Sequence, residues 1–403
     1  MRKILRPLYI VFFSGIFISL DCIYPFAFKI ENDTSFLVVD GLITNENSSY
    51  SVFLSRSYQN AGETPGIVPD ATVTITDGTG NTEVLQNMGN GVYKTDSTRF
   101  TGVTGRVYTL HIMTYDGKEY ASEPCTMYPV SPIDSIWYAK DEGFVGKDST
   151  MEKGLKIYAR TKTARENDFL RWEYQEVWKF YVPDPQEFIY YSSDNIVPNS
   201  DVTETCWKSN NSSDVLIYSA NSGIRQGVIN KPIVFIAPSE SDRLTIEYSI
   251  LIRQYSISSE EYDFWNDFSY VNEAGGDIFG SQPFSVTGNI HNISKSNEKV
   301  LGYFKVSSVN QLRKFITFND LIPLGLPPYI SSCQRIEVSP YVYDNSVTWD
   351  GLYEMFMGTG NYDFVEPEYN GTSLTNLVFA LKGCADCSAS GTSTKPDFWV
   401  DLK

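Results

Sequence analysis

Histidine is nearly missing from this 403-residue chain, which has only His111 and His291. A Ser-His-Asp arrangement would have to use His291 in TGNIH, where a hydrogen-bonded strand-end histidine is the expected role. No phosphate-binding loop, dinucleotide fingerprint, H-E-x-x-H, G-x-S-x-G or EF-hand pattern is present, so no catalytic residue, cofactor or metal is expected. Basic residues are also short: 32 Lys and Arg stand against 49 Asp and Glu, a formal net charge of −17. Such a surface repels nucleic acid and anionic headgroups, and no nucleic-acid partner is expected. There is no internal repeat and no low-complexity tract. What is plentiful is aromatic, 14% of residues, which suits β-sandwich cores and can also serve stacking surfaces.

Apolar runs are equally scarce, and the one at residues 8–20 (LYIVFFSGIFISL) is too short to span a bilayer as a helix. It follows Arg2, Lys3 and Arg6 and precedes Cys22, which is the layout of a signal peptide over 1–21. A cysteine directly after the apolar run is where a lipoprotein is cleaved and acylated, so Cys22 is the expected lipidation site. Asp21, before that cysteine, departs from the small residue usual there. Residues 22–35 then form a lipidated tether.

Five cysteines remain. Export to an oxidising compartment favours disulfides, and an odd count leaves one thiol free. Cys125, far in sequence from the others, is expected to be the free and buried one. Cys206, Cys333, Cys384 and Cys387 are the candidate disulfide residues; three pairings are open to them. The alternative is a zinc site built on the Cys384-x-x-Cys387 pair with Cys206 and Cys333.

Length suggests two to three domains. LVVDGLITNE (37–46), SYSVFLSRSY (49–58), PDATVTITDGTGN (69–81), GVYKTD (91–96) and the hairpin in 105–124 are short alternating strands between turn signals. They predict a β-sandwich over 36–130, with Tyr108, Leu110 and Ile112 inward and His111 outward. Their order resembles the prealbumin-like and Ig-like sandwiches. The two prolines of PVSPIDSIW (129–137) place a boundary there, opening a larger β-rich domain over 131–403.

That second domain carries RWEYQEVWKF (171–180), in which Glu176 falls on the face of Trp172, Tyr174, Trp178 and Phe180. The expectation is a bulge that brings Val177 inward in its place. The strand EYSILIRQYSI (247–257) is apolar on both faces and should be central. Its Arg253 needs a partner, with Glu173 or Glu176 the candidates for a structural ion pair. The helix 259–274 follows, capped by Ser258 or Ser259, with a Ser258-to-Glu261 capping box. Its stripe is Tyr262, Trp265, Phe268 and Val271, laid on the second domain, and Gly275 and Gly276 end it. TGNIHN (287–292) and KVLGYFKVSSV (299–309) read as a strand pair. The stretch 182–205 reads as a functional loop and 340–375 as long polar loops.

LVVDGLITNE, LSRSY, PIDSIW, CWKSNNSSDVLI, YSILIRQYSIS with EEYDFW, TGNIH, GYF and CADC…KPDFW recur in this order in a known group. On these pieces the chain resembles the DUF4249-like family, lipoproteins of unknown function from Bacteroidetes-type bacteria encoded beside TonB-dependent receptors. The resemblance implies a lipid-anchored outer-membrane protein, at the cell surface or alternatively on the periplasmic face, with a TonB-dependent receptor as partner. It carries no catalytic residues. The expected function is therefore a non-enzymatic accessory or binding subunit. The alternatives are a surface glycan or peptide hydrolase using paired carboxylates, or an adhesive surface protein.

Overall fold

The computed structural model describes residues 35–57, 64, 66–146, 149–162, 168–220, 227–274, 286–342 and 347–401, with side chains of 272–274 excepted. The signal peptide, Cys22, most of the tether and the Gly275-Gly276 helix end lie outside the described residues. The chain is mainly β, and the longer strands of the first half alternate more and less buried side chains, as in Leu37–Ile43 and Val107–Met113. Two sheets face each other over Leu37, Val39, Val73, Ile75, Tyr93, Leu110 and Tyr120. Tyr108 and Ile112 are buried and His111 is exposed, as the alternation predicts.

This sandwich does not end at residue 130. Ile290–Asn292 pairs with Glu119–Ser122 in one sheet, and Val300–Val306 runs parallel to Leu37–Ile43 in the other. The two late segments were expected to pair with each other inside the second domain; instead each closes an edge of the first. Phe304, fully buried against the sandwich core, shows why: the edge would otherwise leave Leu37 and Val39 uncovered. Gly302 makes the approach possible. It sits at φ +89°, and a Cβ there would lie 2.0 Å from the Val39 carbonyl oxygen.

Only Ser307 separates this parallel strand from Ser308–Thr317, which belongs to the second half. There one sheet runs in the order Thr205–Asn211, Phe169–Tyr181, Glu247–Ile257, Ser308–Thr317, so the doubly apolar strand is central. A second sheet of Ile133–Val145, Thr150–Lys162 and Val228–Ile236 packs on it through Ile136, Leu155, Ile157, Trp172, Tyr248 and Ile252. The register between Phe169–Tyr181 and Glu247–Ile257 is unbroken from Phe169↔Ile257 to Lys179↔Glu247. The expected bulge is absent, and Glu176 does sit fully buried among aromatic residues.

A third layer gathers Arg335–Val338, Tyr362–Asn370 and Ser373–Leu381 under the helix Trp349–Met357. Thr348 caps that helix by accepting from the Gly351 amide. The 340–375 stretch therefore contains a helix and a strand rather than loops alone. Likewise 182–205 holds the hairpin Phe188–Ser192/Asn195–Pro198, whose buried Tyr190 stacks on Tyr353 and donates to Asp350 at 2.5 Å. It is a packed cover rather than a free loop.

The helix Ser259–Ala274 lies at the junction of the two halves. Tyr262 packs on Phe169 and Phe264 on Tyr303, with ring centroids 5.4 and 4.8 Å apart. Its packed stripe thus includes the half-buried Phe264, and Phe268 is exposed. Ser258 Oγ accepts from the Glu261 amide at 3.1 Å. The Glu261 carboxylate turns inward to accept from Trp265 Nε1.

Candidate functional site

Strand Phe169–Tyr181 positions charged side chains on both of its faces. On the inner face Glu176 accepts from Arg243 Nη1 (2.9 and 3.0 Å), Tyr248 Oη (2.7 Å) and Asn210 Nδ2 (2.9 Å). Burial, and then the Glu176 charge, push the Tyr248 hydroxyl well above its ordinary pKa, so it stays a donor. Glu176 is a structural anchor with nothing open to a ligand.

On the outer face Arg171 is the residue that sequence reasoning misses. It is buried under the helix between the rings of Tyr255 and Trp265, 4.5 and 5.1 Å from its guanidinium carbon. It donates to Glu173, while Glu261 lies 3.9 Å from Nε. Among the described residues Nε and Nη2 have no hydrogen-bond partner. Burial alone lowers the Arg171 pKa; Glu173 and Glu261 outweigh it and raise it. Burial raises Glu173 too, but Arg171 outweighs that, and its carboxyl is held below the usual range; Tyr255 Oη also donates to it, at 2.9 Å. Glu261, more deeply buried, is raised by desolvation. Only the alternation of R-W-E-Y hints at Arg171, since an arginine on the helix-covered face leaves no mark in periodicity.

Past Arg171 the outer face opens into a polar trough of about 400 Å³. Its floor is Glu173, Gln175, Leu251 and Arg253, and Asn211 and Ser212 stand at its edge. Arg253 faces Glu173 across the strands in direct register. Its ion pair, however, is with Glu46 in the sandwich, at a loose 3.8 Å, and not with Glu173 or Glu176 as expected. Arg171 and Tyr255 already occupy Glu173, and Glu176 points to the other face. Further along the same face Arg313 lies beside Leu251 in register; Phe398 covers Arg313, and Trp399 packs edge-on to Phe315.

A second concavity lies at the opposite end of the second half. Thr317 and Asp320 form a reciprocal capping box, which turns the chain and leaves Phe318 outward. Phe318, Ile322, Leu326, Pro328, Tyr329 and Pro238 line an apolar groove of about 350 Å³. Phe318 and Ile322 are 53% and 60% exposed. Apolar side chains concentrated in this way mark contact surfaces rather than random exposure.

The four candidate cysteines pair as Cys206–Cys387 and Cys333–Cys384, with Cα separations of 5.7 and 5.8 Å. Those thiols are therefore unavailable to zinc. The first bridge ties the third layer to the central sheet. Cys125 is the free thiol, only partly buried. Burial, with help from Glu261, pushes it up to about 12, so it is a weak nucleophile. It accepts from Asn289 Nδ2 at 3.2 Å. His291 is exposed and bonded to Glu123 at 2.8 Å.

Compared with known families, residues 23–313 match the one described as Domain of unknown function (DUF4249). No curated protein matches the chain. The match covers well over half of the sequence, and the chain belongs to the DUF4249 family.

Proposed function

Starting from that membership, we propose that the protein is an exported outer-membrane lipoprotein, acylated at Cys22. It serves as a non-catalytic accessory subunit of a TonB-dependent receptor. The observation that carries this reading is the apolar groove around Phe318 and Ile322. The strand Val300–Val306 begins beside Leu37, where the described chain leaves the tether, and Ser308–Thr317 ends at the groove. At about 3.3 Å per residue, these strands can hold the groove up to about 60 Å from the tethered end. A groove so far from the lipid anchor suits a protein that stands proud of the bilayer better than the bilayer itself. Two disulfides fit an oxidising compartment. Among the described residues no helix is long and apolar enough to cross a membrane; an acyl group on Cys22 would anchor the protein without one.

The carboxylates favour binding over hydrolysis. Glu173 and Glu261 flank one arginine, but Glu173 lines the polar trough and Glu261 a separate cavity beside Cys125 and Tyr303. A glycosidase pair must face one substrate bond. Glu173, with its lowered pKa, is also the wrong group for a general acid.

Solubilising outer membranes in mild detergent and isolating the protein tests the proposal. The wild type should bring a TonB-dependent β-barrel receptor, and Phe318→Glu with Ile322→Glu should reduce that recovery at least tenfold. Cys22→Ser should move the protein to the soluble fraction. Wild-type protein that runs alone would refute the receptor role, and unchanged capture by the double variant would refute the groove.

A further inference from the structure

We propose that the polar trough on the outer face of the central sheet binds a neutral oligosaccharide. This names the ligand of the binding subunit proposed above and rests on that reading. The trough has a floor and two sides. The helix Ser259–Ala274 covers Arg171 beside Tyr255 on one side, and on the other Phe398 lies over Arg313, the neighbour of Leu251 in register. Between them Glu173, Gln175, Leu251 and Arg253 form one patch, with Gln311 next to Arg253 in register.

The hydrogen-bonding state of these groups differs from that of the inner face. Among the described residues no hydrogen bond holds the side-chain amides of Gln175, Asn211 or Gln311, and the ion pair of Arg253 there is the 3.8 Å contact to Glu46. Glu173 is different: Arg171 and Tyr255 hold it rigidly in the ionised form, an acceptor aimed from a fixed position. A preset acceptor loses little entropy when a ligand arrives.

The mixture of groups selects the ligand. An anion would want donors only and would meet Glu173; a cation would meet Arg253. The trough itself carries one carboxylate, Glu173, and one guanidinium, Arg253, side by side in register, which favours a neutral guest. Hydroxyl groups donate and accept at once. They match a floor of amides that do both, a carboxylate that accepts and a guanidinium that donates in a planar fork. Leu251, in the middle, offers an apolar contact to the C–H face of a sugar ring. The volume of about 400 Å³ lies in the range of small-ligand sites and suits a short oligosaccharide.

The test is a printed array of neutral and acidic di- to tetrasaccharides, probed with detergent-solubilised full-length protein. Any neutral glycan bound is then titrated calorimetrically. The expected result is binding to neutral glycans, weakened at least tenfold by Gln175→Ala with Arg253→Met while the thermal melt is unchanged. The Phe318→Glu/Ile322→Glu protein should bind the same glycan as wild type, so loss of receptor capture and loss of glycan binding are read separately. An array with no neutral glycan bound, a preference for acidic glycans, or equal binding by the trough variant would each overturn the proposal.

Discussion

On the inner face of the Phe169–Tyr181 strand, Glu176 accepts from a guanidinium, a phenol and an amide. On the outer face, earlier along the same strand, two nitrogens of Arg171 find no acceptor among the described residues while two carboxylates share its charge. The first network is closed on itself and belongs to the core. The second sits where helix, sheet and trough meet, and it sets the charge and position of Glu173, which a ligand would touch. A buried ion is strongly stabilising to keep only when its partners satisfy it fully. By that measure Glu176 is chiefly structural and Arg171 chiefly positional.

The sharpest break in this comparison is Glu176→Ala. It strands Arg243, Tyr248 and Asn210 together, and a loss of about 3–5 kcal/mol in urea unfolding is expected. A loss under 1 kcal/mol would mean the inner network is no more structural than the outer one.

Arg171→Met combined with Glu261→Leu should cost much less, within about 1.5 kcal/mol of wild type, since apolar chains of similar size can replace a poorly satisfied buried ion pair when no buried charge is left stranded. The same denaturation series checks it, and a cost equal to that of Glu176→Ala would erase the distinction.

Glu261→Gln should have the smallest effect, within about 1 kcal/mol, but a diagnostic pH dependence. Burial raises the Glu261 pKa above its unfolded value. Its contribution is thus complete below the unfolded pKa and lost as pH rises through the folded one. For Glu173 burial is outweighed by Arg171 and the pKa is lowered. Its contribution is present above the unfolded pKa and lost as pH falls. In the wild type the two trends offset. In Glu261→Gln only the second remains, so stability should fall more steeply on acidification. Parallel pH profiles for the two proteins would count against the opposed shifts.

Much of the candidate site was partly legible. Arg253 and Glu173 stood out as charges on otherwise apolar strands, and both line the trough. Their pairing was not legible, because cross-strand register puts Arg253 beside Glu173 while Glu46 arrives from the sandwich by tertiary packing. The apolar groove was invisible, because Phe318, Ile322 and Tyr329 form no periodic pattern and meet only through the turn at Thr317.

What the amino-acid sequence determined by itself was local. Alternation, a capping serine and turn glycines specify strands and the helix whatever they later touch, since they act through the residue's own backbone and its nearest neighbours. Cysteine count left one thiol over and distance in sequence pointed to Cys125; neither could choose Cys206–Cys387 and Cys333–Cys384 from three pairings. Strand partners were decided in the same way, by tertiary structure alone. A period of two looks identical in a strand that closes its own domain and in Val300–Val306, which returns to an earlier one. The choice rests on which arrangement buries Phe304, Leu37 and Val39 together, a property of surfaces brought together across most of the chain.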